Sequence, residues 1–183
     1  MSINNNVKIL LYGSNIWYLG EGMLGPLFAV FAGKIGGDIF EITWAWAAYL
    51  IVAGVAHILV GKLIDGKNIE AKVMIFGYAL NTIFTFGYLL VDSTVGLFIV
   101  QAGLGLAAAL ATPTWEALYS KYEDKKHGVY EWGIAGGLAQ IITGIGILIG
   151  GFVVTKYGFD SLFIIMGFIQ LVATIYQAKI LRK

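Results

Sequence analysis

The sequence has no cysteine, two prolines, two histidines and few charged side chains. Without cysteine it can form no disulfide, no thiolate nucleophile and no cysteine-ligated metal site. Charged residues make up only 13% of the 183 residues, whereas hydrophobic residues make up 58%. The mean hydropathy of +0.80 lies far outside the range of ordinary soluble domains. This composition predicts an integral protein of a lipid bilayer.

The charge pattern and the motifs that are missing narrow the function further. The net charge is +1, and the basic residues lie in short, separated segments. Binding to nucleic acid requires a concentrated basic face, so we expect no nucleic-acid partner. The sequence contains no zinc-ligand spacing, nucleophile elbow or phosphate-binding glycine loop. We therefore expect no enzyme, no catalytic residues, no metal site and no cofactor.

Six long apolar stretches are separated by short charged segments. Each stretch contains about 20 residues or more, which is enough to cross the ~30 Å hydrocarbon core of a membrane. None alternates between apolar and polar residues as a strand of a membrane barrel does. The sequence therefore predicts one all-α domain over residues 1–183, with six transmembrane helices at 7–32, 42–63, 71–91, 95–119, 128–155 and 159–180.

The basic residues indicate the orientation of these helices, because lysine and arginine are retained on the cytoplasmic side. With six spans, only Lys34 and Lys156 lie on one side of the membrane. The sequence predicts a multi-pass protein of the cell (inner) membrane with both termini in the cytoplasm. The ten residues on that side are Lys8, Lys62, Lys67, Lys72, Lys121, Lys125, Lys126, Lys179, Arg182 and Lys183.

Three motifs occur in a fixed order along the chain. The segment GKLIDGKNIEAK places Gly61 four residues before Asp65 and next to basic residues. The segment GLAAALATPTWEALYSKYEDKKHG combines small residues with Pro113 and a basic pair, and residues 144–163 are rich in glycine. Together they resemble one six-helix repeat of the major facilitator superfamily of secondary transporters. Typical members contain two such repeats, and this chain has the length of one.

Two positions depart from the family's pattern. Gly66 follows Asp65 where a basic residue is usual, and Ile147 stands where many antiporters have proline. The first departure implies that this loop forms a weaker contact with the opposite half than it does in typical members. The second argues against antiport, although the sequence does not decide between symport, antiport and uniport.

The resemblance implies a second half, because the family's cavity lies between two halves and is lined by the first and fourth helices of each. We expect a half-length secondary transporter that pairs as a parallel, twelve-helix homodimer about a two-fold axis. A heterodimer with another half-length protein is one alternative. A non-transporting membrane subunit is another.

Glu21 lies about midway along the first predicted helix, near the centre of the bilayer. A charged group at this depth costs at least ~2.5 kcal/mol, so an ionisable residue there indicates a function. Removal from water favours the protonated carboxyl group, and a second copy across a two-fold axis favours it further. We predict that Glu21 couples transport to a proton. The alternative is a permanently protonated Glu21 that only hydrogen-bonds a neighbouring helix.

Polar and aromatic side chains at helical spacing predict the rest of a substrate cavity. The carboxylate among aromatic rings favours a lipophilic or cationic small-molecule substrate. A sugar or another neutral metabolite is the alternative, because the amides can bind hydroxyl groups and the tryptophans can stack on rings. Trp115 also suits an anchor at the membrane interface. The predicted cavity residues are Asn15, Trp17, Glu21, Gln101, Thr112, Trp115, Glu116 and Gln140.

Polar residues of the third and sixth predicted helices receive a different interpretation. These helices are peripheral in the family, so we expect Asn81, Thr82, Thr85, Gln170 and Thr174 only to satisfy contacts between helices.

The resemblance also implies a cytoplasmic gate formed by Gly61, Lys62, Asp65 and Glu131. In the family, the loop aspartate contacts the first turn of the fifth helix of the opposite half, where free N–H groups attract an anion. Asp65 of one protomer would thus cap the other protomer's fifth helix near Gly128. Lys62 or Lys67 would pair with Glu131 across the same contact. These contacts would break and re-form during alternating access.

Overall fold

The computed structural model describes residues 3–182, so Lys183 of the predicted cytoplasmic cluster lies outside it. The described residues form helices and no β-strand. Short 3-10 turns follow the fourth helix and the last one. The helices are α1 (Asn5–Leu24), α2 (Leu27–Lys34), α3 (Ile39–Ile64), α4 (Glu70–Gly87), α5 (Thr94–Tyr122) and α6 (Gly128–Gln177).

The predicted helix at 7–32 is divided in two. Helix α1 ends at Leu24, α2 begins at Leu27, and their axes differ by 49°. Gly25 has non-helical backbone angles and Pro26 precedes α2. Because proline lacks an N–H and its ring displaces the preceding turn, Pro26 interrupts the helix. The span predicted at 7–32 therefore corresponds to two helices with a bend at Gly25 and Pro26.

Among the described residues 3–182, four helices are long and apolar enough to cross a membrane, namely α3, α4 with its following turn, α5 and α6. The bent pair α1–α2 is a fifth candidate if it counts as one span. The predicted helices at 42–63, 71–91 and 95–119 lie within a few residues of α3, α4 and α5. The start of α3 is well defined, because Asp38 and Glu41 form a reciprocal capping box.

The two predicted helices at 128–155 and 159–180 both lie within α6, which consists of two helical parts joined at a break. The break lies at Gly158, whose φ of 82° and ψ of 178° are not helical. A side chain is strained at this positive φ, which glycine tolerates. We call residues 128–157 the first arm of α6 and residues 159–177 its second arm.

Both arms of α6 pack against the same part of α1. Gly146 of the first arm faces the backbone of Leu19, and Gln170 of the second arm donates a hydrogen bond to the Trp17 carbonyl at 3.1 Å. In a straight helix, residues 146 and 170 would lie ~36 Å apart. The chain therefore reverses direction between the two arms.

Two apolar clusters close the two ends of the bundle. One surrounds Met23, Phe31 and Phe163, and the other surrounds Leu10 and Tyr119. Along their helices, Glu21 of α1 and Asn81 of α4 lie between these two clusters.

Candidate functional site

Glu21 is held by two amide side chains from different helices. Asn81 Nδ2 on α4 donates a hydrogen bond to Glu21 Oε1 at 2.9 Å, and Gln170 Nε2 on α6 donates to the same oxygen at 3.4 Å. Asn81 and Gln170 are both buried. Burial of a carboxylate is costly unless it is hydrogen-bonded, so these amides stabilise Glu21 within the bundle.

A cavity of about 250 Å³ opens beside Glu21. It contains a second carboxylate, Glu116, and we call it the dicarboxylate cavity. Of the predicted cavity residues, the structure brings Trp17, Thr112, Trp115 and Glu116 together with Glu21. Among residues 3–182, no lysine, arginine or histidine lines this space. Its remaining lining residues are Ser14, Tyr18, Tyr49, Tyr78, Ala108 and Ala111.

Trp115 has a fixed position in this wall. Its indole Nε1 donates a hydrogen bond to the carbonyl of Leu10 at 3.2 Å, and its ring stacks on Tyr119 with centroids 4.8 Å apart. The ring is therefore bound to α1 while it also faces the cavity. By contrast, Thr112 and Glu116 are exposed on the open side of the cavity.

A second cavity of about 220 Å³ adjoins the first, because Glu21 and Tyr49 line both. We call it the aromatic cavity. Gln101 lies here and not in the dicarboxylate cavity. Glu21 is the one charged residue among the described residues of its lining. The others are Leu24, Gly25, Phe28, Trp46, Thr85, Tyr88, Leu104 and Met166.

The family profile of the Major Facilitator Superfamily matches residues 10–182. The chain belongs to the major facilitator superfamily. This assignment points to membrane transport rather than catalysis. Over 175 residues the chain is 27% identical to an uncharacterized MFS-type transporter of Methanocaldococcus jannaschii. The match covers 94% of this chain and 45% of that protein, so the chain spans less than half of its relative's length.

Two residues predicted for the superfamily cavity lie elsewhere. Asn15 is half-buried and Gln140 is exposed, and neither lines the two central cavities. On α1 the lining residues recur every three or four positions, so Asn15, one residue after Ser14, points to another face. The first arm of α6, which carries Gln140, contributes no lining residue to either cavity.

The four predicted gate residues separate into two groups. Gly61 and Asp65 line a third space of about 160 Å³ next to α5, together with Glu70. Lys62 is exposed nearby. Glu131 lies elsewhere, at the start of the first arm of α6.

Glu131 is buried and accepts hydrogen bonds within its own chain, while its pairing with Lys62 of a second protomer stays a prediction. Its Oε2 accepts a hydrogen bond from the Asp124 N–H at 3.2 Å, and its carbonyl accepts one from the Tyr119 hydroxyl at 2.7 Å. The folded loop at 123–127 therefore holds this side chain.

The same loop occupies the start of α6, where Asp65 of another protomer was expected. A Cβ built on Gly128 would lie 3.4 Å from Glu123 Oε2, and Glu123 pairs with Lys125 at 2.8 Å. Hydrogen bonds from His127 and from the Lys126 N–H lower the pKa of Asp124 below its usual value. Glu123 and Asp124 thus lie near the start of α6, but no side chain among the described residues caps this helix with a hydrogen bond.

Sequence reasoning missed two functional candidates, Asn81 and Gln170, which it assigned only to helix contacts. Both are primary amides inside strongly apolar helices, and this pattern could have identified them as candidates. The resemblance to the family argued against it, because it places their helices at the periphery, away from the cavity. The structure brings both amides to Glu21 because the second arm of α6 folds back along α1.

Proposed function

We propose that this protein transports a small organic cation across the membrane by alternating access. The dicarboxylate cavity carries this proposal, since it combines Glu21 and Glu116 with five aromatic residues and its described lining has no basic residue. An ammonium group over an aromatic face gains about 0.5–2 kcal/mol, and the carboxylates add charge pairing. A neutral solute would leave both carboxylates without a counter-ion.

We further propose that Glu21 exchanges a proton during the cycle. An ionised carboxylate at mid-membrane is costly, so it requires a bound cation or a proton. Because α4 and α6 both donate to Glu21 Oε1, a change in its charge alters the contacts of two helices at once. This link supports coupling between ion binding and helix movement.

The proposed membrane arrangement has six spans. The pair α1–α2 forms the first span, and the two arms of α6 form the fifth and sixth because the chain reverses between them. Both termini then lie in the cytoplasm of a cell (inner) membrane protein, with only Lys34 and Lys156 on the other side.

A second six-helix half completes the path, and we propose that it is another copy of this chain. The dicarboxylate cavity is open on the side of Thr112 and Glu116. Glycines of α3 and of the first arm of α6, such as Gly54 and Gly137, have no atom of the described residues within 4 Å of a built Cβ. Such faces allow close approach of another helix. A different half-length protein is the alternative partner.

The test uses benzyltrimethylammonium, a permanent cation that cannot carry a proton itself. The wild-type protein in liposomes should accumulate this cation in response to an imposed pH gradient. Glu21→Gln should abolish the part of the cation uptake that the pH gradient drives. Asp160→Asn, which changes an exposed carboxylate outside the cavities, should transport normally.

Each part of the proposal has its own contradicting result. Unchanged gradient dependence in Glu21→Gln would rule out proton coupling through this residue. Uptake of neutral sugars without any uptake of cations would show that the substrate is a sugar and not an organic cation. Absence of all transport, with the protein folded and paired, would favour a non-transporting subunit.

A further inference from the structure

Gln101 carries an unpaired polar group into the middle of the bundle. The residue is only 2% exposed and lies on α5 in the lining of the aromatic cavity. Its Oε1 accepts a hydrogen bond from the Tyr88 hydroxyl at 3.1 Å. Its Nε2 is buried and has no hydrogen-bond partner among residues 3–182. A buried donor without a partner costs about 1–3 kcal/mol, so a group that pairs with it is favoured.

One atom of the Gln101 amide lacks a hydrogen-bond partner whichever way the amide is oriented. Turning the Gln101 amide by 180° exchanges its oxygen and nitrogen, and Tyr88 can then accept instead of donating. One of the two amide atoms stays unpaired in either orientation, because Tyr88 supplies a single hydroxyl. A ligand hydroxyl both donates and accepts, so it fits both orientations.

The remaining walls of the aromatic cavity favour a ring. Trp46 lies between Phe28 and Tyr49, with ring centroids 5.5 Å and 5.7 Å away, respectively. The volume of about 220 Å³ exceeds the ~150 Å³ of a protein cavity known to hold benzene. One six-membered ring with a polar substituent therefore fits the space.

We propose that the aromatic cavity is a second subsite, which binds a hydroxyl-bearing ring of the substrate through Gln101. This inference rests on the proposed transport of organic cations. The ammonium group lies in the dicarboxylate cavity, and the ring extends past Glu21 and Tyr49, which line both spaces. The substrate class is thereby narrowed to amines that carry a hydroxylated ring.

The test measures binding to the purified protein with two matched ligand pairs. Tyramine is compared with phenethylamine, and 4-hydroxybenzylamine with benzylamine, so that each pair differs by one hydroxyl group. In at least one pair the hydroxylated amine should bind at least about tenfold more tightly, the effect of one hydrogen bond to a buried unpaired group. Equal affinities in both pairs would overturn the subsite, since water would then satisfy Gln101 equally well.

The protein-side test removes the amide. Gln101→Leu should abolish the preference for the hydroxylated amine and leave the affinity for the amine without it unchanged. Gln177→Leu is the matched control, because Gln177 is also a buried glutamine with an unpaired atom among the described residues but lines neither cavity. It should keep the full preference.

Other outcomes separate this inference from the proposed function. An equal loss of affinity for both members of a pair in Gln101→Leu would mean a structural role and would overturn the subsite. Loss of all amine binding in Glu21→Gln, with the hydroxyl preference intact in the wild type, supports both proposals. If no amine binds the wild-type protein, the cation-transport proposal itself fails. If Gln101→Leu does not fold, the ligand pairs on the wild type still decide.

Discussion

One carboxylate oxygen of Glu21 connects three helices through hydrogen bonds, and we call this arrangement the Glu21 junction. α1 supplies the acceptor, while Asn81 and Gln170 donate to it from α4 and α6. The sequence predicted the acceptor, since an acidic residue in an apolar helix is conspicuous on its own. It did not predict the donors, because an amide in another helix becomes a partner only through long-range packing.

The junction predicts a measurable coupling between Glu21 and Asn81. In a double-mutant cycle with Glu21→Leu and Asn81→Leu, the unfolding free energy in mixed detergent should show a coupling of about 0.6–1.7 kcal/mol, as for a hydrogen bond between membrane helices. The control pairs Glu21→Leu with Thr82→Val, because the Thr82 hydroxyl contacts Tyr78 and Thr174 instead. Additive effects of Glu21 and Asn81 would contradict the junction.

At the scale of the helices, glycine lets the first arm of α6 approach the backbone of α1 closely. The predicted bounds of α3, α4 and α5 lie within a few residues of the observed ones, because short charged segments separate these apolar runs. Pro26, within the apolar run at 7–32, is the sequence signal for the break between α1 and α2. The sequence predicted a short break between the two helices that became the arms of α6. Hydropathy shows where an apolar run weakens, but it does not show that the chain can reverse at the single residue Gly158.

A pair of glycine substitutions on the first arm tests this packing. A Cβ on Gly146 would lie 2.6 Å from the carbonyl oxygen of Leu19 on α1, and backbone cannot move aside locally. Gly146→Ala should therefore lower the unfolding free energy by about 1–3 kcal/mol, measured by thermal denaturation in detergent. Gly151→Ala is the control, because no atom of the described chain lies within 4 Å of its built Cβ. Equal melting temperatures for the two variants would argue against the close approach.

For the whole molecule, the open side of the dicarboxylate cavity predicts where a second copy lies. In a two-fold pair that encloses this cavity, Thr112 faces its own copy, whereas Phe168 is exposed beside a groove lined by Ile16 and Leu19. Because the chain has no cysteine, single cysteines report contacts cleanly. In native membranes, Thr112→Cys should form dimers with bis-maleimide linkers that span a cavity, and Phe168→Cys should not. Preferential crosslinking at Phe168→Cys would place the interface on the opposite face and contradict this arrangement. The carboxylates of the dicarboxylate cavity would then face lipid, where an ionised group is costly.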